Sequence, residues 1–465
     1  MKTIKTKLIR NKTKKRKTRE EYDIIVLGGG IAGIYTIYKL MQYPLFSQKR
    51  ILLLEKTERL GGRVYSIHPY KNHPEDVIEG GAGRFSQTHI YLNTLIKELN
   101  LENEKIQNNS NTEYYPINPI KISQKTKTNE LLLKVIEKSK KENVEYLRTI
   151  SFSNYAREIL SDNEVQYIQD SFGYYSELVI MNTYDAIQLI SNLDNINNIF
   201  YSLNGGLSQI NERMIDFVVK KKKEIFQINQ HVQKISLLQK EIQEKYLIET
   251  QNKKYITKII ISALPKQVLE RISFFKSLTP LLSKIKCAPL CRIYSRYLKE
   301  KKKEIWFENL SKITTNNHLR MVIPINKKKG IIMISYTDNK FADYWYKKFK
   351  QEGISKINER LKEEIKQSTG IIIPEEPIQT NIYYWKCGVG YWGLRANSQE
   401  ISQRMIQPFI KKNIFCCGEH YSEKFQQWIE GALETSEKVL EKIIEKERYN
   451  IYNSNQSNIL ERIYI

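Results

Sequence analysis

Residues 23–27 (DIIVL) and 50–54 (RILLL) are short runs that are apolar almost throughout. Apolarity without alternation over so few positions predicts parallel strands buried on both faces. Between them Ile34, Ile37, Tyr38 and Met41 recur at helical spacing. The order strand, helix, strand is a βαβ unit. Leu92, Leu95, Ile96 and Leu99 predict a second helix. Residues 102–126 are polar and expected to be irregular, and 127–200 read mainly as helices. The stretches EIFQINQHVQKISLLQK, KEIQEKYLIET and KKYITKIIISALP alternate like antiparallel strands. Residues 266–384 mix strands and helices with little motif content. Asn413 to Cys417 is a further buried strand, Gly418–Glu419 a turn, and a helix follows from Trp428 with Ile429, Leu433, Val439 and Leu440 on its faces.

The junction after the first strand carries Gly28, Gly30 and Gly33 in the spacing G-x-G-x-x-G. A strand before it and a helix after it are the context a dinucleotide fingerprint requires. Gly28 permits the tight turn, Gly30 lets backbone approach a pyrophosphate, and Gly33 lets helix lie against strand. Ile31 and Ala32 open the helix, whose free N–H groups face an anion. Glu55, with Lys56 beside it, ends the second strand 22 residues past Gly33. A carboxylate there suits the two hydroxyls of an adenosine ribose, and an NADP-type site would want a cation.

Next comes EKTERLGGRV, in which Gly61 and Gly62 bring backbone close to a diphosphate and Arg63 is placed to pair with it. A plain NAD domain does not need this element. It resembles the flavin amine oxidase family, and further segments do so in family order. IEGGAGRF (Gly80, Gly81, Gly83, Arg84) resembles the flavin-edge segment of L-amino-acid oxidases. In that resemblance Arg84 grips a substrate carboxylate; the alternative, that it serves the flavin or a structural acid, stays open. NGGLS at 204–208 and IIISALP at 259–265 resemble the turn and strand that return the chain to the flavin domain, and Val232 falls where backbone meets adenine. On CRIYSRY the family usually places a lysine, and this chain has Arg292, a departure, because an arginine does not deprotonate. YYWKCGVGYW resembles the strand entering the site. Tyr391 takes the position of the cysteine that tethers flavin in some relatives, which implies non-covalent FAD, and Trp392 with Trp428 would form an aromatic cage. GEHYSEKFQQWIEGA resembles the closing signature: Glu419, after Gly418, would hold the ribityl or diphosphate region, and Trp428 and Ile429 would bring a helix N-terminus to the flavin. Gln427 replaces the family's glycine, whose backbone contacts the substrate carboxylate. No general base is readable.

The chain has 75 basic and 51 acidic residues, a net charge of +24. Part of it is local, since residues 1–19 hold ten Lys/Arg and no acid. This predicts a disordered arm and makes nucleic acid a possible partner through it alone. Five cysteines without C-x-x-C or Cys/His zinc spacing, with Cys387 alone, and six scattered histidines predict a reducing compartment and no metal. No signal-type apolar region or membrane-length apolar run is present, so an intracellular protein, cytoplasmic or nuclear, is expected.

The expected fold class is α/β, α+β overall, with a discontinuous Rossmann-type FAD-binding domain (22–101, 201–265, 393–448). A substrate domain of helices and a mixed sheet (102–200, 266–392) lies between its segments, and an arm (1–21) and tail (449–465) flank it. The resemblance implies oxidation of a primary or secondary amine or an amino acid: hydride to flavin, hydrolysis of the imine, and peroxide from O2. Two alternatives stay open, a flavoprotein with a structural or partner-binding role, and a nuclear amine oxidase acting on peptide lysines.

Overall fold

The computed structural model describes residues 20–70, 73, 75–108, 112–118, 127–193, 198–238, 244–298 and 304–463. The basic segment 1–19 lies outside the described residues. The chain is a mixed α/β structure whose two large sheets each carry one wall of a shared cavity.

In the first sheet Glu20–Leu27 lies between Lys254–Ser262 and Ile51–Leu54, parallel to both, with Phe226–Gln227 beyond the latter. Ile414–Cys416 is parallel to Lys254–Ser262, and Lys245–Thr250 and Val232–Leu238 extend the sheet antiparallel. The apolar runs are continuous because both faces are covered. Ile24 and Val26 face the helices Ile31–Leu40, Ser208–Lys221 and Ile429–Ile463, whereas Ile25 and Leu27 face Tyr246, Leu269, Phe275 and Met405. The register Leu27↔Leu54 and Leu27↔Ser262, with Ser262↔Cys416, aligns the carboxyl ends of four strands. Gly28, Glu55, Ala263 and Gly418 therefore leave the sheet along one edge, where open α/β sheets bind ligands.

The second sheet runs Gln379–Trp392, Ile285–Arg296, Ile331–Asp338, Met321–Asn326, Lys312–Thr315 and Thr112–Tyr115. Residues expected to be irregular thus supply an edge strand here, and Lys105–Asn108 pairs with Phe200–Leu203. Six helices between Thr128 and Leu193 form a cap whose apolar core includes Ala288 and Tyr391 of the sheet. The last helix, Ile429–Ile463, runs on as far as Ile463 in the segment read as a tail. Among the described residues no helix is long and apolar enough to cross a membrane.

One cysteine expectation is corrected. Cys287 and Cys387 form a disulfide across the strand pair Ile285–Arg296 and Gln379–Trp392, while Cys291, Cys416 and Cys417 are free and buried. A separation of 100 residues hid the pairing from any spacing argument. The cysteines therefore no longer speak for a reducing compartment. Among the described residues His73, Glu75 and Asp76 are the group arranged to hold a cation, but Arg296 and Lys329 already neutralise Asp76.

Candidate cofactor and substrate site

The glycine junction is built as its spacing requires. Gly28 has φ +101°, and a Cβ on Gly33 would lie 2.0 Å from the Gly28 carbonyl oxygen. Neither position accepts a side chain without moving backbone. The first helical hydrogen bond runs from Ile34 N–H to the Gly30 carbonyl at 3.0 Å, so the amides before it belong to no helical bond. Gly61 donates to the Gly29 carbonyl at 2.7 Å and bridges Gly30, which brings the second glycine pair onto the first. Glu55 closes the cradle: its carboxylate accepts from Gly29 N–H and Thr57 N–H, both at 2.7 Å.

From this cradle a cavity of about 990 Å³ runs between the two sheets to the helical cap. All the cofactor, catalytic and substrate residues named from the sequence line it, apart from Gly33, Gly61, Gly80 and Trp392. Lys56, Gly62 and Val232 stand at the cradle end, and Gly81, Gly83, Arg84 and Arg292 are on its walls toward the cap. The volume is ample for a dinucleotide with a small substrate.

Arg63 and Glu419 both line the cavity and pair with each other. Arg63 donates to the Gly388 carbonyl at 2.7 Å and pairs with Glu419 Oε2 at 2.8 Å. Glu419 Oε1 also accepts from Gly390 N–H at 2.6 Å and Gln427 N–H at 3.0 Å. Burial would raise its pKa, yet Arg63, His420 and these amides hold it below the usual carboxylate range. The pair thus ties the sheet strand to the closing loop. His420 beside it accepts Lys266 N–H at Nδ1, and burial lowers its pKa to about 4.

The Gln427 amide, engaged by Glu419, is not open to a substrate carboxylate. Gln427 also sits at φ +75°. A non-glycine residue there costs about 1–2 kcal/mol. Gln427→Gly is therefore expected to stabilise the protein by about 1 kcal/mol, read by chemical denaturation. A loss of stability would show that the side chain, which reaches Met181 Sδ, is worth more than the strain.

The aromatic cage is corrected by one residue. Tyr391 and Trp392 are adjacent on a strand, so they point to opposite faces. Tyr391 lines the cavity, whereas Trp392 is buried in the core beneath the first sheet and donates Nε1–H to the Glu423 carbonyl at 3.0 Å. The pair facing the cavity is Tyr391 and Trp428. Trp428 is held in place by Phe200, stacked at 5.9 Å, and by His89, edge-on at 4.9 Å.

Arg292 is 8% exposed, donates to the Glu79 carbonyl at 3.1 Å and lies 4.6 Å over the Tyr336 ring. Arg84 donates to the Tyr174 hydroxyl at 2.9 Å and lies 4.2 Å over Phe200 and 5.8 Å from Trp428. Among the described residues no carboxylate pairs with Arg84. Sequence reasoning missed Tyr174, Glu177, Tyr336 and Asp338, which line the same cavity. Tyr336 and Asp338 are two apart at the end of a strand, and that alternation was the one local signal. Glu177 carried none.

Residues 31–444 match the family model for flavin containing amine oxidoreductase. An uncharacterized protein, R188, of Acanthamoeba polyphaga mimivirus is 24% identical and covers 91% of this chain and 94% of its own length. L-amino-acid oxidase of Naja atra is 30% identical over 28% of this chain and 29% of its own. Amine oxidase [flavin-containing] A of Bos taurus is 31% identical, but over 20% of this chain and 16% of that protein. Among solved structures, wild-type putrescine oxidase bound to putrescine superposes with a TM-score of 0.69 at 14% identity, covering 92% of this chain and 100% of that one.

Proposed function

The chain belongs to the flavin containing amine oxidoreductases, and from that premise we propose that it oxidises an α-amino acid with a non-covalently bound FAD and O2 as acceptor. The observation that carries the substrate half is Arg84, a guanidinium in the cavity wall without an acid partner among the described residues. A planar fork suits a carboxylate bidentately.

The residues present fit FAD. The paired glycine turns and the start of the helix Ile31–Leu40 would hold the diphosphate, and Glu55 the ribose. Gly81 and Gly83 offer backbone to a flat ring, and the helix that begins at Ile429 offers its N-terminal dipole. When bound, FAD supplies the two-electron acceptor that no side chain here provides. Tyr391 and Trp428 would orient the amine, and Arg84 the carboxylate, so that the α-carbon is positioned for reaction. Arg292 cannot act as a base; it braces Gly83 and the Glu79 backbone. On this reading the FAD-binding domain comprises 22–101, 201–265 and 393–448, and the substrate domain the segments between.

Gly390, just before Tyr391, has no thiol, and Cys387 is paired with Cys287. Acid precipitation is therefore expected to leave all the flavin in the supernatant. Flavin in the pellet would overturn non-covalent binding. The functional reading itself is tested by peroxide release across α-amino acids and the corresponding decarboxylated amines. Turnover of amines alone would remove the carboxylate from the reading. Absence of peroxide with either class would favour a structural flavoprotein.

A further inference from the structure

Glu177, on the short helix Tyr175–Val179, is 3% exposed and lines the cavity. Its Oε2 has no hydrogen-bond partner, and among the described residues no cation pairs with it. Asp338, 4% exposed, lines the same cavity. The two acids are not equivalent. Asp338 accepts from Tyr175 N–H at 3.2 Å and Ser176 N–H at 2.6 Å. The buried Arg320, which donates to the Thr315 and Gln169 carbonyls, offsets part of its charge. Glu177 has no such support. Burial, and then the Asp338 charge, push its carboxyl well above the usual range. Both effects favour the neutral form, and the carboxyl is buried in the cavity wall without a partner for Oε2.

A buried polar atom without a partner is costly, and a partner from outside the chain removes that cost. The surroundings specify its charge. Two buried carboxyls in one cavity wall gain from a cation placed against them and oppose an anion. The rings of Tyr174 and Tyr391 line the same cavity, and aromatic faces favour a cation as well; the Tyr336 ring already carries Arg292. Tyr174 lies within electrostatic reach of both Arg84 and Glu177. One cavity thus presents a guanidinium for an anion and an acid pair for a cation.

We propose that Glu177 and Asp338 form a subsite for the distal cation of the substrate, and that the amino acid oxidised is dibasic. The amino-acid half rests on the reading of Arg84 given above; the cation subsite does not. On binding, Glu177 gives up its proton to solvent and pairs with the incoming ammonium or guanidinium. The net charge of +24 repels cations at long range, but salt screens that field within about 8 Å, and the acid pair acts inside it.

The test uses the full chain loaded with FAD. In wild type, kcat/KM for L-lysine is expected to exceed that for L-norleucine, which has a methyl group in place of the ammonium, by about ten- to hundredfold, the scale of one charge-assisted hydrogen bond. Glu177→Gln copies the neutral form, so flavin content and Tm are expected to stay at wild-type values. The lysine preference should vanish, through KM rather than kcat, while norleucine is unaffected. Equal wild-type use of lysine and norleucine overturns the subsite whatever the variant does. So does an equal loss on both substrates in the variant, which would mark Glu177 and Asp338 as a structural pair. Oxidation of 1,5-diaminopentane but no α-amino acid, abolished by Glu177→Gln, would uphold the cation subsite and overturn the carboxylate role of Arg84.

Discussion

Glu55→Arg is expected to lower FAD affinity by roughly two to four orders of magnitude. Two hydrogen bonds from ribose hydroxyls to a carboxylate contribute about 1.5–3 kcal/mol each, or about 3–6 kcal/mol together. The substitution removes both acceptors. It also removes the carboxylate that accepts Gly29 N–H and Thr57 N–H at 2.7 Å, so the fingerprint loop loses its brace. A guanidinium at that position further adds a cation beside Lys56 in a chain that is already strongly basic. Flavin-to-protein ratio after gel filtration and a titration of apoprotein by flavin fluorescence would read the effect. Glu55→Gln, which keeps an acceptor and removes the charge, should fall between. Unchanged affinity in the Arg variant would mean that the ribose lies elsewhere.

Arg84→Ala is expected to cost about ten- to hundredfold in kcat/KM for an α-amino acid, because the carboxylate loses a charge-assisted partner worth roughly 1.5–3 kcal/mol. The side chain has other contacts, the Tyr174 hydroxyl and the Phe200 ring, and losing them would disturb the wall for every substrate. The decisive quantity is therefore the ratio between an amino acid and its decarboxylated amine within one variant. A carboxylate clamp predicts that the amine is indifferent or improved. Arg84→Lys should recover little, since an ammonium lacks the planar fork. An equal loss on both substrate types would place Arg84 in the service of the flavin or of the wall itself.

The cradle was legible because its determinants are local. Apolar runs buried on both faces, three glycines at set intervals and an acid at a strand end lie within a single βαβ unit, and the structure places them along one sheet edge. The closing segment was legible as a strand, a turn and a helix for the same reason. The cage was legible only to within one residue. The pleat makes Tyr391 and Trp392 face opposite ways, and which face meets the cavity depends on the pairing of Gln379–Trp392 with Ile285–Arg296.

Local pattern was enough for the elements, the dinucleotide junction and the wording of the family resemblance, since propensity and side-chain periodicity act over a few residues. The partners of side chains distant in sequence were settled by tertiary packing. Arg63 pairs with Glu419, Cys287 with Cys387, and Arg84 donates to the Tyr174 hydroxyl. Glu177 meets Asp338 because a cap helix lies over the end of a strand of the second sheet, whose Asp338 carboxylate accepts the first amides of that helix. Neither acid stands in a motif. Their significance comes from burial and from each other's charge, and both are properties of the folded chain rather than of any stretch of it.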